Sequence, residues 1–308
     1  DGTLSGSLNI TGSITASAKE QIIRDLKNDF TITSVTPVIV DPEFIDIKLN
    51  VNFQYNSKNT VKTSETLTSN VRTVLTNYNT NTLGNFDSSF RHSLTTSLVD
   101  NTDDAITSNI TTIKLCKNFT PTLNKETKYT VPFTNAIHNP HGGHMMDTGG
   151  VVSSSGFTIS GDENEMFLND DGNGNVRLFY LTDGTTTTYK DSTAGTIDYD
   201  TGEIILTNFN ITSISNVDGA TSTTIRIIVT PDSNDVIGVR NQVLRLDTNN
   251  LTIGSSIDTI ATGGSAAGVG VSTTSSYTGS SSTTSSTSTS STSTSSSSSS
   301  SNGSSSGY

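Results

Sequence analysis

The sequence has no tryptophan, one cysteine and six prolines, and no proline follows Pro231. A single thiol, Cys116, excludes an intrachain disulfide, so stability has to come from packing or from partners. Basic residues are scarce: Lys plus Arg is 17 against 29 Asp plus Glu, a net charge of −12. Such a chain lacks the positive footprint that nucleic-acid phosphates or anionic lipid headgroups require. No apolar run approaches the roughly 20 residues of a membrane-spanning helix, and no secretory signal opens the chain. Apolar residues are also few. The 31% hydrophobic fraction and 25 glycines give about 39%, below the roughly 45–50% usual for globular chains. Charge itself stops at Asp258, and Ser or Thr fills 31 of the 38 positions from Val271 to Tyr308. That stretch cannot bury enough apolar area to offset chain entropy, and it reads as a flexible or disordered tail.

The other 258 residues are long enough to fold around one or two cores. The chain opens on Asp1 rather than Met, and residues 1–15, rich in Gly, Ser and Thr, read as the remnant of a preceding domain. Ala18, Ile22 and Leu26 recur every four residues, which predicts a short amphipathic helix over Ala16–Asn28. Ile45, Ile47, Leu49, Val51, Phe53 and Tyr55 then alternate with polar residues, the period of a strand with one buried face. Asp41-Pro42 before it excludes helix. Leu67, Val71, Val74, Leu75 and Tyr78 return to helical spacing, and a second helix is expected to carry Phe90, Leu94 and Leu98. A strand around Ile110–Lys117, with Ile113 and Leu115 inward, completes an α+β, sandwich-like module over residues 16–120.

Beyond Pro121 the helical signal ends. Short β runs at Tyr129–Phe133, Gly156–Ser160, Val176–Leu181, Thr196–Leu206 and Thr224–Thr230 are separated by Gly, Asn and Asp. Asp200–Gly202 supplies the turn of a hairpin. Residues 121–250 therefore read as a mainly β domain, and 251–308 as the Ser/Thr-rich disordered tail. Val239–Asp247 reads as a strand with Leu244 and Leu246 inward, and periodicity leaves open which sheet it joins.

Chemistry-bearing clusters are few. His138, His141 and His144 lie within seven residues and could converge on a transition metal, but Pro140, Gly142 and Gly143 make the segment a loop with no fixed register. Hydrogen-bonding surface histidines are the simpler reading. Asn169–Asn175 is dense in oxygen donors, yet Asn175 stands where a calcium loop starting at Asp170 needs glycine, and Leu181 where it needs glutamate. A β-turn accounts for it better. His92 reads as a packed or surface residue. Asp103/Asp104 and Asp162/Glu163 are carboxylate pairs whose mutual placement periodicity does not give. No phosphate-binding loop or nucleophile elbow is present, and no cofactor or catalytic residue is expected.

Several ordered segments do resemble one family: Val38–Asn56, Phe86–Ser93, Leu98–Asp100, Thr102–Ile106, Thr112–Lys117, Tyr129–Asn135, Gly195–Gly202 and Arg240–Asp247. Together they resemble the C-terminal half of the baseplate wedge protein of T4-like contractile-tailed phages, gene product six of the baseplate J-like class, with relatives in cyanophages. The resemblance implies a virion structural protein of the tail baseplate without enzymatic activity. It would form dimers, bind other wedge and hub proteins, and link wedges into a ring around the hub that rearranges on contraction. The family's N-terminal helical half has no counterpart in this sequence, and the Ser/Thr tail is not a family feature. Two other classes compete: a secreted surface or adhesive β protein with a Ser/Thr stalk, and a metal-dependent enzyme using the three clustered histidines.

Overall fold

The computed structural model describes residues 15–29, 39, 41–139, 150–239 and 241–260. The described elements follow in chain order. Helix α1 (Ala16–Asp29) precedes the long strand β1 (Glu43–Tyr55), helix α2 (Ser64–Asn81), the short β2 (Ser89–Phe90), helix α3 (His92–Asp100) and strand β3 (Ile106–Phe119). Eleven further strands come after: β4 (Glu126–Pro132), β5 (Val152–Ser154), β6 (Phe157–Ile159), β7 (Met166–Asp170), β8 (Asn175–Thr182), β9 (Thr186–Asp198), β10 (Glu203–Ile214), β11 (Ile225–Val229), β12 (Val236–Ile237), β13 (Gln242–Leu246) and β14 (Thr252–Ile257). The protein is mixed α+β and mainly β.

Strand β1 takes its place because its alternation suits a sheet covered on one side. Ile45, Ile47, Leu49, Val51 and Phe53 are at most 1% exposed, while Asn52 on the other face is open. It pairs antiparallel with β3, Leu49 opposite Ile113. Helix α2 covers the apolar face. Thr63 caps it, its hydroxyl accepting from the Thr66 amide at 3.3 Å, and Leu67, Val71, Leu75 and Tyr78 form the buried stripe. Each such aliphatic chain contributes about 1.5–3 kcal/mol by leaving water.

Helix α3 departs from expectation. Phe90 is not on it but lies buried in β2, opposite Val236 of β12, and the helix begins two residues later at His92. The one-turn stripe is therefore displaced: Thr95 and Val99 are buried and Leu94 is exposed.

Two six-stranded sheets organise the rest. In the first the order is β13-β1-β3-β11-β5, with β14 also beside β1. Four of its six strands come from beyond residue 120, so the sheet begun by β1 and β3 is completed by chain that returns to it. Val239–Asp247 supplies β13, parallel to β1 with Leu244 beside Ile45, which answers the open question of its sheet. One expectation is corrected: part of the segment assigned to the tail from residue 251, Thr252–Ile257, is strand β14, parallel to the second half of β1. Leu251 and Ile253 supply the apolar anchor that counting Ser and Thr concealed. Residues 261–308 lie outside the described residues.

The second sheet runs β4-β10-β6-β7-β8-β9, and β9 also pairs with β10, so five strands close on one another and remove most free edges. Tyr199–Gly202 makes the β9–β10 turn as expected, Gly202 at φ +68° with Asn135 O only 2.1 Å from where a Cβ would stand. Buried apolar residues of both sheets form one continuous cluster.

Candidate interaction surface

Residues 43–118 form β1-α2-β2-α3-β3, a strand pair with two helices on one face. The opposite face of the pair is open. Asn52, Ser108, Ile110, Thr112 and Lys114 are exposed there, with Ile110 39% accessible. Lys48 stands directly opposite Lys114, a cross-strand pair of like charges that by itself opposes pairing. Nearby cations are neutralised: Arg245 bonds the Asp46 carboxylate and lies 4.3 Å over the Phe44 ring, and Arg226 pairs with Asp218. Burial pushes the Asp218 carboxyl up, but the Arg226 hydrogen bond and charge outweigh it and hold the group below its ordinary range.

At the rim of this face a cleft of about 400 Å³ opens between the start of β1, the end of β3, β4 and β13. Lys117, 8% exposed, forms its inner wall, donating to Glu43 Oε2 and to the Pro132 carbonyl, both at 2.6 Å. Its two acceptors satisfy and neutralise the ammonium, so the cleft presents a matched pair rather than an unmet charge.

The sequence candidates are dispersed. His138 sits where the chain touches the end of β11: its amide donates to Thr230 O at 2.9 Å, and Nδ1 lies 3.6 Å from Asp232 Oδ1. His141 and His144 lie outside the described residues. Among the described residues no group of three His, Cys, Asp or Glu is placed to hold a metal ion. His92 is tied down, with Nε2 2.8 Å from Thr111 O and its amide donating to Asp235 at 2.9 Å. Asp103 bonds Lys62 at 2.6 Å and Asp162 bonds Lys190 at 2.9 Å, so neither belongs to an opposed carboxylate pair. In the Asn169–Asn175 segment Asp171 turns inward onto the Asn173 and Asn175 amides at 2.8 and 3.0 Å, which is turn chemistry. No described helix is long and apolar enough to cross a membrane.

The periodicity reading missed one polar centre, Asp170. It is fully buried at the end of β7 and accepts from the Val152 amide of the first sheet at 2.8 Å and from the Tyr199 hydroxyl at 2.6 Å. Only the run Met166–Asp170, with three of its five residues apolar, hinted that this aspartate ends a strand and not a surface loop.

Across the strand pair and its two helices, residues 43–118 match the family model described as baseplate structural protein gp6, C-terminal domain III. Residues 43–118 are similar to gp6 domain III. That family places the protein in the tail baseplate of a phage, within the virion, as a structural component that interacts with other baseplate proteins. The match spans about a quarter of the chain. No curated protein matches it. Within the gp6 segment the residues that hold the fold are the apolar face of β1 and the stripe of α2.

Proposed function

We propose that this protein is a baseplate wedge subunit that pairs with a second copy, contacts other wedge and hub proteins, links wedges into a ring around the hub, and shifts when the tail contracts. The observation that carries the reading is the domain III match over β1-α2-β2-α3-β3. The open face of that unit supports it, since Asn52, Ser108, Ile110, Thr112 and Lys114 are exposed there and accessible to a neighbouring subunit. The lean apolar content supports it too, because subunit contacts can supply burial that the isolated chain lacks. In this reading residues 16–120 are the α+β module, 121–250 a mainly β domain whose strands return to complete the first sheet, and the role is mechanical. No catalytic residue, metal or cofactor is assigned, His138, His141 and His144 included.

Cryo-electron microscopy of the native particles should place the chain in the baseplate ring. A chain absent from purified tails, and failing to co-purify with any other tail protein, would end this reading.

A further inference from the structure

We propose that β14 is a releasable strap: it pivots after Leu251 and leaves the edge of β1 while the rest of the first sheet stays folded. The inference deepens the wedge-subunit reading and rests on it, naming an element whose movement a mechanical subunit can use.

Strands β13 and β14 follow one another along the same side of β1, yet they are held differently. In β13, Val243 and Leu244 are fully buried, and Gln242 and Leu246 nearly so. Its far side is bonded as well: Gly84 N donates to Leu244 O and Leu246 N to Asn79 Oδ1, both at 2.7 Å. Strand β14 has no buried residue. Thr252, Ser256 and Ile257 are exposed, and Ile253 alone packs against the core, half-buried. Among the described residues no strand pairs with its outer side. Burial of apolar surface is what ties an element to the cooperative core, so β13 is anchored while β14 is held mainly by its ladder to β1.

The two ends of β14 have different fastenings. The turn before it is fixed: Leu251 is buried, and Arg72 on α2 donates to Thr248 O at 3.3 Å and to Leu251 O at 2.9 Å. That end is the pivot. At the far end the contacts are polar and open to solvent. The Asp258 amide donates to Tyr55 O at 2.8 Å, and the Thr107 hydroxyl reaches across from β3 to donate to Asp258 Oδ2 at 2.7 Å. This end is the catch.

The register supplies its own reporters. In a parallel ladder each residue directs its N–H and C=O to the same side. Tyr55 O accepts from Asp258, and Ile47 O accepts from Asp247 at 2.9 Å, so the odd-numbered residues of β1 face β13 and β14. With Ile253 beside Val51, Ser255 beside Phe53 and Ile257 beside Tyr55, the amides of Val51, Phe53 and Tyr55 are bonded to β14. Those of Ile45 and Ile47 are bonded to β13, with Leu244 and Leu246 beside them. Release of the strap frees the first three amides and leaves the other two protected, on one strand and one side of it. It also turns half of β1 into an open edge, whose outward N–H and C=O groups can receive another extended segment.

The test is residue-resolved amide hydrogen exchange on the full 308-residue chain. Expressed as protection factors, Val51, Phe53 and Tyr55 should exchange on the order of 100-fold faster than Ile45 and Ile47, and low urea should not speed them, the mark of local opening. Thr107→Val removes the catch hydroxyl from an exposed position and should speed those three amides by about threefold, with Ile45 and Ile47 unchanged. If that variant fails to fold, the parent's rates decide. Equal protection along β1 that falls together in urea, or a folded Thr107→Val chain whose three amides keep the parent's rates, overturns the proposal. Exchange is read on the chain alone, so a fixed β14 in a chain found in baseplates overturns the strap only; absence from baseplates overturns the subunit reading and leaves the strap.

Discussion

The Tyr199 hydroxyl donates to the Asp170 carboxylate at 2.6 Å, in a joint where that carboxylate is wholly screened from solvent. The second oxygen of Asp170 holds the Val152 amide, so one side chain links β7, the β9–β10 turn and the first sheet. Tyr199→Phe removes one donor to a charged acceptor and should lower stability by about 1.5–3 kcal/mol. Asp170→Ala strands two buried donors and should cost more. Urea unfolding checks both, and equal midpoints for parent and Asp170→Ala would show that the joint is not carried by this carboxylate.

Gly150 approaches the same carboxylate. A Cβ there would stand 1.8 Å from Asp170 Oδ1, and the carboxylate is held in place by the Val152 amide on Oδ1 and the Tyr199 hydroxyl on Oδ2. Gly150→Ala should therefore destabilise by about 1–3 kcal/mol, the range for forced overpacking. Combined with Asp170→Ala the penalty should shrink, because the obstructing oxygen is gone, and a double-mutant cycle measures that coupling.

Alkaline pH should weaken the fold earlier than carboxylate chemistry alone allows. Burial, assisted by the nearby Asp46 charge, pushes the Cys116 thiol up to about 12, and burial together with the Asp170 bond raises Tyr199 above the ordinary tyrosine value. Both folded-state values lie above the unfolded ones. Their stabilisation is therefore complete below the unfolded values and lost as pH rises through the folded ones. Each group adds a slope of about 1.4 kcal/mol per pH unit, starting near pH 9 for Cys116 and near pH 10 for Tyr199. Urea midpoints measured from pH 8 to 11 should fall, and Cys116→Ala should remove the earlier component.

The thiol gives a second readout. Cys116 is 1% exposed and protonated well above neutrality, so an aromatic disulfide reagent at pH 8 should label it only through unfolding. Rapid labelling of the native chain would contradict its place between β1 and β11.

Leu49→Asp or Val51→Asp should abolish cooperative folding, because each places a carboxylate on the face under α2. Asn52→Asp, on the open face of the same strand, should change stability by less than about 1 kcal/mol. Thermal unfolding followed by circular dichroism separates the two faces.

Much of the local order was legible in the residues. The alternation from Ile45 to Tyr55 gave β1 and its buried face, the spacing from Leu67 to Tyr78 gave α2, and Asp200–Gly202 gave its turn, because each signal is local and repeats at the period of its element. Where the signal was short it misled. Phe90, Leu94 and Leu98 fit a helical stripe, yet pairing with Val236, 146 positions later, drew Phe90 into a strand. Met166–Asp170 was passed over because it ends in polar residues whose burial depends on Tyr199 and Val152.

The sequence by itself determined the periods of the principal elements and an acidic, disulfide-free chain that ends without charge, and its ordered segments resembled a baseplate family that residues 43–118 then matched. Only the tertiary structure decided which strands share a sheet: that β13 and β14 return to flank β1, that β9 closes onto β10, and that Asp170 is a core residue. The reason is physical. Periodicity records which face of an element is buried, whereas strand partners are chosen by contacts between residues far apart in the chain, and these leave no local repeat to read.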